Sequence, residues 1–154
     1  MGIINIVEHI KKIHTEDVLL VKIGKFYYVY GKDAFILSYF FNYKLQMVDN
    51  KIYSCAFPTS SRPKVIAKLE NSKINYIIVN RRENYEVEEK EDYKNLNRYN
   101  EYYKKAKKEL EIKFRIKRIE NYLTKNKDKK FIKSLIFEIE KEIQKSEKNE
   151  RRKI

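Results

Sequence analysis

Three glycines, two prolines, one cysteine, two histidines and no tryptophan occur in these 154 residues. Each scarcity excludes something. Glycines only at positions 2, 24 and 31 cannot form the G-x-G-x-x-G loop of a dinucleotide site. Gly31-Lys32 resembles the end of a P-loop, but its spacing from Gly24 is wrong and Asp33 stands where a Ser or Thr is required. A single cysteine, Cys55, allows no internal disulfide, which fits a reducing, cytoplasmic compartment. Cys55 lies in a strand-like run and reads as buried and inert. His9 and His14 are five residues apart, on different faces of a helix, and read as solvent-facing residues rather than zinc ligands. No Ser-His-Asp or Cys-His constellation suggests itself, so no cofactor, metal or enzymatic activity is expected. No window approaches the ~20 apolar residues of a membrane span. The N-terminus lacks a signal-peptide core, and Ile6 breaks the myristoylation pattern that Gly2 would open; no membrane role is expected.

Charge, by contrast, is abundant. Lys and Arg number 35 against 22 Asp and Glu, a formal net charge of +13, divided almost evenly between the first 83 residues and the rest. Nucleic acid is the default partner for such a balance. A second origin stays open: Lys, Ile, Asn, Tyr and Phe dominate the chain and all have AT-rich codons.

Periodicity divides the chain into elements. Ile3, Ile4, Val7, Ile10 and Ile13 predict an amphipathic helix. Val18–Ile23 and Phe26–Tyr30 predict a hairpin turned by Gly24-Lys25. Asp33 reads as the N-cap of a helix over 34–41. A second hairpin is predicted over 44–48 and 52–56, turned by Asp49-Asn50, then a helix over 62–71 capped by Ser60 or Ser61 with Pro63 in its first turn, and a buried strand within 75–80. Residues 81–96 are highly charged without a period and read as a linker or an edge extension. The interval 97–123, free of Gly and Pro, predicts one long helix with two apolar sets, Tyr99/Tyr103/Ala106/Leu110/Phe114 and Ile112/Ile116/Ile119/Leu123. After a polar turn, Ile132, Leu135, Ile136, Ile139 and Ile143 predict a second helix over 131–143, pairing with the first as an antiparallel hairpin, with a frayed tail beyond. The expected fold is α+β: a small mixed β-sheet with flanking helices, followed by a C-terminal α-helical hairpin. The expected divisions are an α/β module over 1–83, a charged linker or edge extension over 84–96, a basic helical hairpin over 97–145 and a flexible tail over 146–154.

The most informative segment is Ile23–Asp33, with two of the glycines around Phe26, Tyr27, Tyr28 and Tyr30. On a strand Phe26, Tyr28 and Tyr30 share one face, Tyr27 and Val29 the other. Such a row is either core or a stacking platform for bases. A weaker possibility is Glu86, Glu88 and Lys90 as a metal-dependent nuclease cluster, a match that a chain with 37% charged residues produces by chance.

Here the chain resembles domain I of the MutS family, the N-terminal mismatch-recognition domain, over Ile3 to Arg81. Gly-Lys-Phe-Tyr-Tyr stands where the family usually reads Gly-Asp-Phe-Tyr-Glu. Val29-Tyr30 and Gly31-Lys32-Asp33-Ala34 follow without a gap. Cys55-Ala56-Phe57-Pro58 resembles the family's Gly-Ile/Phe-Pro segment, and Val65-Ile66-Ala67-Lys68-Leu69 with the strand Tyr76–Val79 resembles its closing helix and strand. In the family the Phe stacks into the duplex at a mismatch from the minor-groove side, and the Glu two residues later hydrogen-bonds the mispaired base. The resemblance makes Phe26 the stacking residue. Tyr28 occupies the Glu position, and a phenol cannot reproduce a carboxylate; Lys25 also replaces an acid. No connector, lever, clamp or ATPase domain is recognisable in the remainder, so a mismatch-repair cycle is not expected of this chain alone.

The expectation is a non-enzymatic nucleic-acid-binding protein for duplex DNA, mismatched or distorted, with Phe26 as wedge, Tyr28 beside it, and Lys22, Lys25, Lys32 and Lys44 on flanking phosphates. The alternative is a degenerate module without DNA binding that acts through its helical hairpin, on a protein partner or a second copy.

Overall fold

A computed structural model describes residues 2–153. The chain divides into two compact units, 1–110 and 111–154.

In the first unit α1 (Ile3–Ile13), β1 (Val18–Ile23) and β2 (Phe26–Tyr30) form as the periodicity predicts. Gly24 turns β1 into β2 with φ +63°, and Lys25 keeps a negative φ. That is the two-residue hairpin with glycine at its first central position, which matches the right-handed twist of the strands. No atom lies within 4 Å of a Cβ placed on Gly24, so its backbone conformation alone requires glycine. The next elements are α2 (Lys32–Phe41), β3 (Gln46–Val48), β4 (Ile52–Pro58), α3 (Arg62–Asn71), β5 (Tyr76–Asn80) and β6 (Glu86–Glu91). Asp49 and Asn50, both at positive φ, turn β3 into β4. One six-stranded sheet results, in the order β3-β4-β2-β1-β5-β6. Only β1 and β5 pair in parallel; the other pairs are antiparallel. The charged run after β5 supplies an edge strand. Its six residues are all exposed, because an edge strand needs only backbone pairing to β5, and its charges discourage further strand addition.

Alternation splits the apolar residues between two layers. Val18, Leu20, Tyr27, Val29, Cys55, Phe57, Tyr76 and Ile78 face α2, α3 and Tyr99. Leu19, Val21, Tyr30, Ile77 and Val79 face Val7 of α1, with Ile3 and Ile10 beside it. β1 and β5, covered on both faces, are near-continuous apolar runs for that reason.

Two capping expectations are corrected. α2 starts at Lys32 with Gly31 as N-cap, and Asp33 caps nothing: it is 1% exposed and points into the protein. There its carboxylate accepts from the Leu19 amide (3.0 Å), Lys11 Nζ (3.0 Å) and the Tyr99 hydroxyl (2.6 Å), joining α1, β1 and the first turn of α4 (Tyr99–Lys125). A carboxylate can be buried only when so partnered. α3 is preceded by a 3-10 turn, Thr59–Ser61, and no side chain caps it.

The second unit contains the end of α4 and α5 (Lys130–Arg152); α5 does not stop at 143 but continues as helix through most of the stretch expected as a frayed tail over 146–154. The fold is α+β, a mixed sheet with flanking helices and a C-terminal helix pair. Among the described residues no helix is long and apolar enough to cross a membrane.

Candidate nucleic-acid interface

The aromatic row of β2 lies on the α1 side of the sheet, and its burial changes along the strand. Tyr30 is 8% exposed and belongs to the core under α1, Tyr28 is half-buried, and Phe26 is 45% exposed. Tyr27 and Val29, one step out of phase, are fully buried on the opposite face. Tyr27 stacks on Phe57 with centroids 5.3 Å apart, and its hydroxyl accepts from Arg62 at 2.7 Å. The row is thus core at one end and surface at the other.

Pairing with β4 sets the surroundings. Phe26 lies opposite Pro58 and Tyr28 opposite Ala56, both exposed. Beside them Tyr28, Tyr43, Lys44, Gln46, Ser54, Cys55 and Ala56 line a concavity of about 210 Å³. The hairpin is held to the following segment by the Thr59 amide, which donates to the Lys25 carbonyl at 3.0 Å.

The four lysines do not gather in one place. Lys25 occupies the exposed turn next to Phe26, and Lys44 lines the concavity with Tyr28. Lys22 lies opposite Tyr27 and therefore projects from the other face, in phase with Val18 and Leu20. Lys32 opens α2 just beyond the Tyr30 end of β2, and the strand separates Phe26 from Tyr30 by about 13 Å; the Lys32 ammonium lies 5.0 Å from the centre of the Tyr103 ring. Gln46, Ser54 and Ala56 become neighbours of Tyr28 only through the β2–β4 and β3–β4 registers, which leave no local mark on the sequence.

Glu86, Glu88 and Lys90 fall on β6. Glu88 accepts from Arg62 at 3.4 Å and from Asn80 at 2.9 Å. Among the described residues no group of three His, Cys, Asp or Glu is placed to hold a metal ion. Cys55 is 3% exposed, and burial pushes its thiol up to about 12, with Asp33 adding to the shift.

A mixed sheet flanked by helices, with an aromatic residue exposed at the hairpin that follows its first helix, makes a small α+β module. The family model of MutS domain I matches residues 1–153, and the chain belongs to that family. The family is one of mismatch recognition, set in DNA mismatch repair, and is not itself catalytic. No curated protein matches the chain.

Proposed function

We propose that the protein binds duplex DNA non-enzymatically at mismatched or distorted steps, using Phe26 as a wedge. The observation that carries this reading is the 45% exposure of Phe26 on a hairpin whose family inserts a phenylalanine at that position. Inserting an apolar side chain at a base step costs roughly a few kcal/mol of unstacking. Base–aromatic stacking returns about 1–3 kcal/mol per base. The balance is most favourable where the step is already weakened, so selectivity for distorted DNA needs no base-specific hydrogen bond. Tyr28 sits one pair further along the same face and presents a hydroxyl that can donate or accept one hydrogen bond. It contributes a contact to the opened pair without the carboxylate's discrimination. Lys25 and Lys44, on the Phe26 side of the sheet, hold the flanking phosphates; Lys22 and Lys32 face elsewhere and contribute to the general positive field.

Fluorescence anisotropy with matched, mismatched and single-stranded oligonucleotides at two salt concentrations tests this reading. Binding that weakens with salt, favours the mismatched duplex and drops on Phe26→Ala is the expected result. No binding at low salt removes the reading. Equal binding to every duplex, unaffected by Phe26→Ala, keeps DNA as a partner and removes the wedge.

A further inference from the structure

The concavity beside Tyr28 holds polar groups that the wedge does not use. β3 pairs with β4 only from Ser54 back to Ile52, so the remainder of β4 is an open edge on that side. Two hydrogen bonds fix the direction of its backbone groups. The Tyr53 carbonyl accepts from the Gly31 amide at 2.7 Å, and the Thr59 amide donates to the Lys25 carbonyl at 3.0 Å, both toward β2. Direction alternates along a strand, so Ser54, Ala56 and Pro58 turn their backbone groups away from β2. Ser54 there meets Gln46, and Pro58 has no N–H. Ala56 presents one N–H and one C=O, side by side, to the open edge, and among the described residues neither has a partner. Side chains add to this pair. Ser54 and Gln46 lie opposite each other on the face that carries Tyr28. Ser54 is 8% exposed and lines the concavity, and among the described residues nothing hydrogen-bonds its hydroxyl or the Gln46 carboxamide. A side chain buried to that extent ordinarily has a partner. Lys44 stands exposed at the rim, and no acidic residue lines the concavity.

We infer that this concavity receives one unpaired nucleobase, swung out of the duplex at the step that Phe26 opens. The site rests on the proposed DNA binding and gives the displaced base a destination. Every nucleobase carries a donor and an acceptor side by side on its pairing edge, and the N–H and C=O of Ala56 complement them. The Ser54 hydroxyl and the Gln46 carboxamide can each donate or accept, so they adapt to whichever base enters. Tyr28 offers a ring face for stacking, and Lys44 is placed for the phosphate of the same nucleotide. The size fits: about 210 Å³ is the room of about seven waters at ~30 Å³ each, the bulk of one base. The reach fits as well. Tyr28 lies two residues from Phe26, about 7 Å along the strand, or roughly two base steps of about 3.4 Å. A peptide strand is a poorer occupant, because strand addition draws on a row of backbone groups and this edge offers the pair of a single residue. Extrusion costs least for a base that is mismatched or already unpaired, so the concavity reinforces the preference for distorted DNA.

Anisotropy titrations of the full chain with three duplexes test it: one fully matched, one with a single unpaired adenine, and one with an abasic residue in place of that adenine. Both bulged duplexes give Phe26 a weakened step, but only the first has a base to place in the concavity. The unaltered chain is expected to bind the adenine bulge about 5- to 20-fold more tightly than the abasic one. Gln46→Ala and Ser54→Ala are each expected to narrow that gap by about 3- to 10-fold while leaving the abasic affinity unchanged. Phe26→Ala is expected to lower the affinity for both bulged duplexes. Ser54→Ala removes no hydrogen bond within the chain, so its urea midpoint should stay in place and its loss of binding cannot come from unfolding. Equal affinity of the unaltered chain for the two bulges overturns the inference and leaves the wedge standing. A gap that survives both Gln46→Ala and Ser54→Ala puts the base elsewhere and overturns it too. No binding to any duplex removes the DNA-binding reading and this site together.

Discussion

Truncating Phe26 to alanine separates a wedge from a core residue because the two roles predict different magnitudes in two assays. Phe26 is 45% exposed, whereas Phe57, on the neighbouring strand but facing the other layer, is 1% exposed and stacked on Tyr27. Removing a fully buried phenylalanine costs about 3–5 kcal/mol, and that range applies to Phe57→Ala. Phe26 has only about half its surface covered and lies at the open end of the sheet, where neighbours and water fill the space. Its truncation is expected to cost about 1–2 kcal/mol of folding stability. In DNA binding the order reverses. Losing one stacked base contact of about 1–3 kcal/mol lowers affinity for a mismatched duplex roughly 5- to 150-fold. Urea denaturation followed by far-UV circular dichroism gives the first quantity, and anisotropy on the same preparations gives the second. If Phe26→Ala loses as much stability as Phe57→Ala, the side chain is packing and the wedge assignment is wrong. If its stability changes little and its DNA affinity does not change, the exposed ring has no part in binding.

Three further outcomes follow from the same geometry. Lys44→Ala is expected to weaken DNA binding on all sequences and to reduce the slope of log K against log salt by about one, whereas Lys32→Ala, at the far end of β2, is expected to leave that slope unchanged; titration at four salt concentrations distinguishes them. Burial pushes the Asp33 carboxyl above its ordinary range, against the opposing pull of Lys11, the Tyr99 hydroxyl and the Leu19 amide. The folded chain therefore holds this proton more tightly than the unfolded chain, whose aspartates titrate near 3.9; the contribution is complete below about 3.9 and is lost as pH rises through the folded value. Urea midpoints measured from about pH 3 to pH 7 should show that fall in the unaltered chain and not in Asp33→Asn, and identical profiles would assign it elsewhere. Cys55, buried and with its thiol pushed up to about 12, is expected to resist aromatic disulfide reagents in the native state and to react fully once unfolded; fast native reaction would show that the sheet opens there.

What the sequence made legible was whatever depends on neighbours close along the chain. Alternation in β1 and β2, the glycine of their turn and the one-face spacing of Ile132, Leu135, Ile136, Ile139 and Ile143 are all local, and the elements they predict are present, although α5 runs on past 143 to Arg152. Asp33 shows where local reasoning stops. An acid just before an apolar helical run reads as an N-cap, but its partners Lys11 and Tyr99 lie 22 and 66 residues away, and a buried tie between distant elements leaves no mark on the flanking sequence. The lysines divide for the same reason. Lys22, Lys25, Lys32 and Lys44 look equivalent until strand phase puts Lys22 on the other face and the concavity beside β2 brings Lys44 to Tyr28. The aromatic row combines both cases. That Phe26, Tyr28 and Tyr30 share a face follows from a two-residue period, but that Tyr30 is core and Phe26 is surface depends on which part of that face α1 covers. Tyr30 packs in the cluster containing Val7 of α1, while Phe26 extends past it to the open end opposite Pro58. The alternative between core and stacking platform, drawn from the row as a whole, therefore has different answers at its two ends, and the residue available to a base is the one that the helical layer leaves uncovered.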